Sequence, residues 1–257
     1  SNTSTYAGAN LGGGAISGGN VKILNSTFSE NTAYDGGAFF ASNVVLSNSI
    51  FTNNTATHGG GAIYGSYLNI NNSDFISNSA SIGGAVYITG GTNYISGSTF
   101  TSNKTSGVGG AIYAHSGSTT VSGSTFTDNT SGAIFIDNGS SMVIENSFFD
   151  SNTGRTVSNG GGTITINNST FDGNHASSAG GALFNSGSSG KSVATVTGSK
   201  FINNYTTANQ DAGGAIYNYT GNAGVDVSEL TINSSTFTGN TGRLGGAIYG
   251  SGYTYIY

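Results

Sequence analysis

Apolar residues recur along this chain at fixed offsets from two anchors, and that recurrence predicts its elements. The first anchor is the Ala of Gly-Gly-Ala, at Ala15, Ala38, Ala62, Ala85, Ala111, Ala133 (here Ser-Gly-Ala), Ala182, Ala215 and Ala247, with a degenerate copy at Thr156. Successive anchors lie 22 to 33 residues apart. The residue after each anchor is always large and apolar: Ile16, Phe39, Ile63, Val86, Ile112, Ile134, Val157, Leu183, Ile216 and Ile248. The second anchor is Phe-x-x-Asn, from Phe28/Asn31 through Phe126/Asn129 to Phe237/Asn240, nine times in all. Each of these Phe has Ser two residues before it and an aliphatic residue five before it, as in Ile70, Ser73 and Phe75. The apolar runs are short, β-branched or aromatic, and bounded by Gly, Asn and Ser, which reads as strands rather than helices.

A fixed period of this length, with one strand-turn unit per repeat, predicts stacking, because no single unit can hide its own apolar face. The expected fold is all-β. It is one continuous, single-domain, right-handed parallel β-helix over residues 1–257, of about ten coils at about 23 residues each, with longer coils near the C-terminal end. The hand follows from the preference of parallel β connections. Coils at ~4.8 Å spacing would make a rod on the order of 50 Å long. Three columns point inward: the residue after Ala, the aliphatic residue and the Phe. The Gly pairs serve a corner that needs φ > 0 or close approach. The Asn after each Phe predicts an asparagine ladder, amide to amide between coils, with the Ser column bonding in parallel.

Composition agrees with a scaffold rather than an ordinary globule. There are 44 Gly, no Pro, no Cys and only 7% charged residues, yet 14 Phe and 14 Tyr at regular spacing oppose disorder. The formal net charge is −5 and the 6 Lys and Arg are scattered, so no basic stripe exists for nucleic acid. No apolar run approaches the roughly 18–20 residues of a membrane span. Without Cys there is neither a disulfide framework nor thiol chemistry.

Paired Gly-Gly-Ala-Ile and Phe-x-x-Asn resembles the repeats of polymorphic outer membrane proteins of chlamydial type. Ser235-Thr236-Phe237-Thr238-Gly239-Asn240 followed by Gly245-Gly246-Ala247-Ile248-Tyr249 carries the likeness. The pattern is also similar to adhesin-like surface proteins of methanogenic archaea, and the absence of Cys favours that or a related bacterial type. The resemblance implies an extracellular, cell-surface structural or adhesive protein. It supplies no catalytic residues and no cofactor.

Four features carry candidate chemistry. Asp150 and Asp172 each follow a Phe in neighbouring coils, with Asp128 a coil earlier and Arg155 and His175 nearby. A close carboxylate pair can divide acid and base roles in a polysaccharide lyase or hydrolase of pectin-lyase-like scaffold; the plainer reading is solvated turn residues. His58, His115 and His175 have no ligand spacing, and no metal is expected. The column two after Ala holds Phe40, Tyr64, Tyr87, Tyr113, Phe135, Phe184, Tyr217 and Tyr249. Strand alternation turns it outward, as a platform for glycans or a surface protein, or as rings that stack on each other. Asn204 and Asn218, on the long connections 204–212 and 218–229, head the glycosylation candidates, which include Asn2, Asn25 and Asn103. Connections 129–133 and 152–156 are short and narrow the rod midway. Finally, the sequence enters and leaves mid-coil. That predicts either a piece of a longer solenoid, or head-to-tail self-association through uncapped ends into a filament or envelope sheath.

Overall fold

The computed structural model describes residues 2–4, 12–137, 139–187, 190–207, 212–221 and 227–257. All regular structure among them is β, and every pairing is parallel and between successive turns. Three strand columns wrap the rod. The first runs through Ile63–Gly65, Val86–Ile88 and Ile112–Ala114, the second through Leu68–Asn71, Thr92–Ser96 and Ser118–Ser122. The third contains the Phe strands, such as Asp74–Ile76 and Thr99–Thr101, and forms a nine-stranded sheet. A short fourth segment after each Asn turn carries bridges such as Ser79↔Lys104.

The register places repeat on repeat. Ile63 pairs Val86, Ile70 pairs Ile95, and Phe75 pairs Phe100. Identical positions therefore meet, and the three expected inward columns are buried as one core; Ile63, Ile70 and Phe75 are each 0% exposed. The eight interior Phe–Phe steps from Phe28 to Phe237 have ring centroids 4.6 to 5.2 Å apart and planes within 11°. Offset stacks of this kind contribute about 0.5–1.5 kcal/mol each beyond the area they bury.

The asparagine ladder is complete from Asn31 to Asn240 and is joined by Asn2. Each interior rung is fully paired. Asn103 donates one Nδ2 hydrogen to Asn129 Oδ1 (3.1 Å) and the other to the Phe75 carbonyl (2.8 Å). Its Oδ1 accepts from Asn78 Nδ2 (3.1 Å) and from the Asn78 backbone N–H (2.9 Å). The Ser column runs beside it: the Ser98 N–H donates to Ser124 Oγ (3.2 Å), and Ser98 Oγ donates to the Ser96 carbonyl (3.0 Å). No polar group of these turns is left to oppose burial, which is the condition for a tight interior.

The Gly pair divides its work. Gly60 adopts φ 64°, and a Cβ on Gly61 would collide with the Gly84 carbonyl oxygen of the next turn. Residue 60 needs the left-handed region, and residue 61 needs the absence of a side chain.

In the first two turns the first two strand columns are continuous: Ile16–Leu24 and Phe39–Ser47 each run through nine residues. Their shared length lets one strand pair along the other without a corner, Ile16↔Phe39 through Leu24↔Ser47. Asn204 and Asn218 do not sit on open loops. Both are 0% exposed, Asn204 as a ladder rung and Asn218 within Ile216–Tyr219. Their amide nitrogens already donate within the folded rod, so neither offers a glycan acceptor at its surface. The remainder of those long connections, 208–211 and 222–226, lies outside the described residues.

Candidate functional site

The residue after each buried Ile or Val turns away from the core, as alternation requires. The outcome differs from an open aromatic face. Tyr87, Tyr113 and Phe184 are only 9%, 8% and 8% exposed, and Phe40, Tyr64, Phe135, Tyr217 and Tyr249 are half-buried. The rings cover one another. Phe40 stacks on Tyr64 (5.2 Å between centroids), Tyr64 on Tyr87 (4.6 Å), and Tyr113 on Phe135 (5.4 Å). Their faces are consumed by neighbours along the rod, so edges and hydroxyls are what most of the column presents.

Polar groups fasten those edges. Tyr113 donates its hydroxyl to Asp137 Oδ2 (2.8 Å), and His115 Nδ1 lies 3.1 Å from the same oxygen. One turn set away, His58 Nδ1 lies 2.7 Å from Asp35 Oδ1, which also accepts from the Gly59 N–H. Burial raises the phenol pKa along the column. Tyr87 is pushed up to about 12 by burial, then by Tyr64, Asp137 and Asp35. Tyr113 rises through burial and its bond to Asp137, and Tyr64 through burial and Asp35. The phenols are held neutral, as hydrogen-bonding and packing groups.

The column breaks once between its ends. Phe135 pairs in register with Ser158, and Ser158 with Phe184. Phe135 therefore has a ring neighbour on the Tyr113 side only, among the described residues. At the break lies a cleft of about 590 Å³. Phe135, Ser158, Arg155, His175 and Tyr205 line it, with a rim of Ser131, Thr153, Ser177, Ser178 and Thr207. The two short connections contribute Ser131 and Thr153, Gly154 and Arg155 to its lining, with Gly107, Val108 and Gly109 from the turn before.

Arg155 sits in the gap. Its guanidinium carbon lies 3.6 Å from the centroid of the Phe184 ring, a cation–π contact. Its Nε is buried without a hydrogen-bond partner, and no ion pair among the described residues includes it. Burial lowers its pKa, partly opposed by the Tyr217 phenol. His175 stacks on Tyr205 at 4.9 Å.

The carboxylate candidates are arranged differently. Asp150 and Asp172 are register partners on neighbouring turns, as expected. Asp128 is not in their column; Thr127 holds that place, and Asp128 takes the left-handed turn position (φ 54°) beside Asn129. None of the three lines the cleft that holds Arg155 and His175, so the spacing that grouped all five in sequence does not assemble them around one cavity. Among the described residues no group of three or more His, Cys, Asp or Glu could hold a metal ion.

Sequence reasoning also missed a second asparagine ladder. Asn159 Nδ2 donates to Asn185 Oδ1 (2.8 Å), and Asn185 Nδ2 donates to Asn218 Oδ1 (2.8 Å). The signal was available as Asn three residues after Thr156, Ala182 and Ala215. Arg155 had a signal as well. It stands where nine other turns carry the second Gly, directly before the degenerate Thr156 and three residues before the missing ring.

Residues 63–232 match the family described as right handed beta helix region. The chain belongs to that family. The β-helix also has three stretches, residues 25–42, 48–66 and 234–251, that are similar to the Chlamydia polymorphic membrane protein repeat. These fall on turns of the same solenoid, near both ends. No curated protein and no solved structure gives a match. Among the described residues of the β-helix, no helix is long and apolar enough to cross a membrane.

Proposed function

We propose that this β-helix is a surface-exposed, adhesin-like stalk, a non-catalytic scaffold that carries binding features on its outer side. The observation that supports it is the coincidence of the polymorphic membrane protein repeats with ordinary turns of a scaffold whose interior asparagines are paired within the rod. Extracellular placement, binding of a glycan or surface protein, and the absence of catalysis belong to this reading. The likeness to methanogen adhesin-like proteins rests on the residues alone. The test is antibody labelling of intact cells against permeabilised ones. Labelling of intact cells, lost after surface proteolysis, is expected; label confined to permeabilised cells would end the reading. Catalysis is tested separately, by incubating the chain with acidic polysaccharides; chain scission abolished by Asp172→Asn would replace the stalk with an enzyme.

A further inference from the structure

Four observations converge on the break at Ser158. The stack leaves one face of the Phe135 ring without an aromatic neighbour among the described residues. A guanidinium stands in the same cleft with no carboxylate partner among the described residues, its carbon 3.6 Å from the centroid of the Phe184 ring. Small hydroxyl side chains recur in the lining: Ser131, Thr153, Ser177, Ser178 and Thr207, beside Val108 and glycines. Among the described residues no Asp or Glu lines the cleft, in a chain whose net charge is −5.

Each observation specifies part of a ligand. A ring face accepts a flat, weakly polar surface such as the C–H side of a pyranose. A planar guanidinium lacking a partner selects a carboxylate, which it can meet with two parallel hydrogen bonds. Small hydroxyls such as these serve as both donor and acceptor for ring hydroxyls. The volume of about 590 Å³ falls within the roughly 300–1,000 Å³ of small-molecule sites. A nucleic acid or an anionic membrane would need several cations in line, and this cleft has one fixed cation.

We propose that the Ser158 gap is a binding site for a carboxylate-bearing sugar, with Arg155 clamping the carboxylate, Phe135 stacking on the ring and the Ser/Thr rim holding its hydroxyls. The missing ring is then the device that makes the site. Every other interior position of the column is filled by the neighbouring aromatic side chain, and here the ligand takes that place. The proposal rests on the stalk reading only for bringing such sugars within reach; its chemistry is independent of where the chain resides.

The experiment uses the whole chain and three probes: a galacturonic acid trimer, the neutral galactose trimer, and acetate. Calorimetry or NMR titration should show the acidic trimer binding at least about tenfold more tightly than either of the others, the increment expected of one charge-assisted clamp. Arg155→Gln should lose that tenfold, while Arg155→Lys retains charge without the planar fork and falls between. Ser158→Tyr tests the gap by filling it, with the Arg155 side chain still in the sequence but displaced from Phe184. It should restore the stack, keep or raise the thermal midpoint, and abolish binding. Tyr64→Phe, in the intact part of the column, should bind as the parent does. Equal binding of the neutral trimer, equal binding of acetate, no binding of the acidic trimer, or binding that survives Ser158→Tyr would each overturn the proposal. A chain displayed on the cell surface that binds no acidic trimer would refute this site and leave the stalk reading standing.

Discussion

The Phe and Asn columns inside the rod and the aromatic column outside it are built from the same repeat, yet they differ in one respect. The inner columns tolerate no exception over nine turns, while the outer one skips at Ser158. The reason lies in what each position touches. An inner Phe meets Phe above and below, and an inner Asn closes the hydrogen-bonding of both neighbours. A substitution there leaves two turns defective. An outer ring also meets rings along the rod, but it stands outside the core with its edge toward the surface, so omitting it costs less and opens space. Uniformity marks where packing decides the residue; a lapse in it marks where something else can.

Four outcomes test this contrast, in falling order of effect. Phe126→Ala should destabilise by about 3–5 kcal/mol, the range for truncating a buried ring, read from the urea midpoint at constant slope. Asn129→Leu comes next. It strips acceptors from the Asn103 N–H and Nδ2 and donors from the Phe100 carbonyl and Asn152 Oδ1. At ~1–3 kcal/mol for each unsatisfied buried group, and with partial relaxation, roughly 3 kcal/mol is expected. Hydrogen exchange should quicken at Asn103 and Asn152 before other turns. Tyr64→Ala, in the outer column, should cost only about 1–2 kcal/mol by the same urea measurement. A loss equal to that of Phe126→Ala would erase the distinction between inside and outside.

The smallest effect is alkaline. Tyr87 titrates near 12 in the folded chain against an ordinary value of 10.0. The folded state thus holds its proton more tightly than the unfolded state does. Its contribution is fully present below pH 10 and is lost as pH rises toward 12. The thermal midpoint should be flat to about pH 9 and then fall, and Tyr87→Phe should fall less steeply. An identical alkaline decline in the variant would show that the phenol of Tyr87 is not the group responsible.

Much of this was legible in the sequence because a solenoid converts spacing directly into contact. Ile63 over Val86 and Phe75 over Phe100 follow once the period is known. The outward turn of Tyr64 was equally readable from alternation. Its covering was not, because shielding by Tyr87 and by the segment that carries His58 and Gly59 depends on how far the turns stand out from the rod. Asn204 and Asn218 misled for a related reason. A glycosylation motif records three residues, whereas burial records which turns lie above and below. The Asp150–Asp172 pairing was right and the inclusion of Asp128 was one residue out, enough to move a side chain from strand to turn. The cleft needed two facts taken together: short connections at 129–133 and 152–156, and three departures from the repeat at Arg155, Thr156 and Ser158.

The asparagine ladder has one more consequence, for length under load. Every bond it makes points along the rod, so tension between the two ends pulls directly on the rungs rather than sliding strands past each other. The rungs are alike, and the outermost one has a partner on one side only. Such a tether lets go from its tips inward, one turn at a time. Each turn of about 23 residues releases roughly 80 Å of slack before the next bears the force. Single-molecule stretching would record a saw-tooth with that spacing.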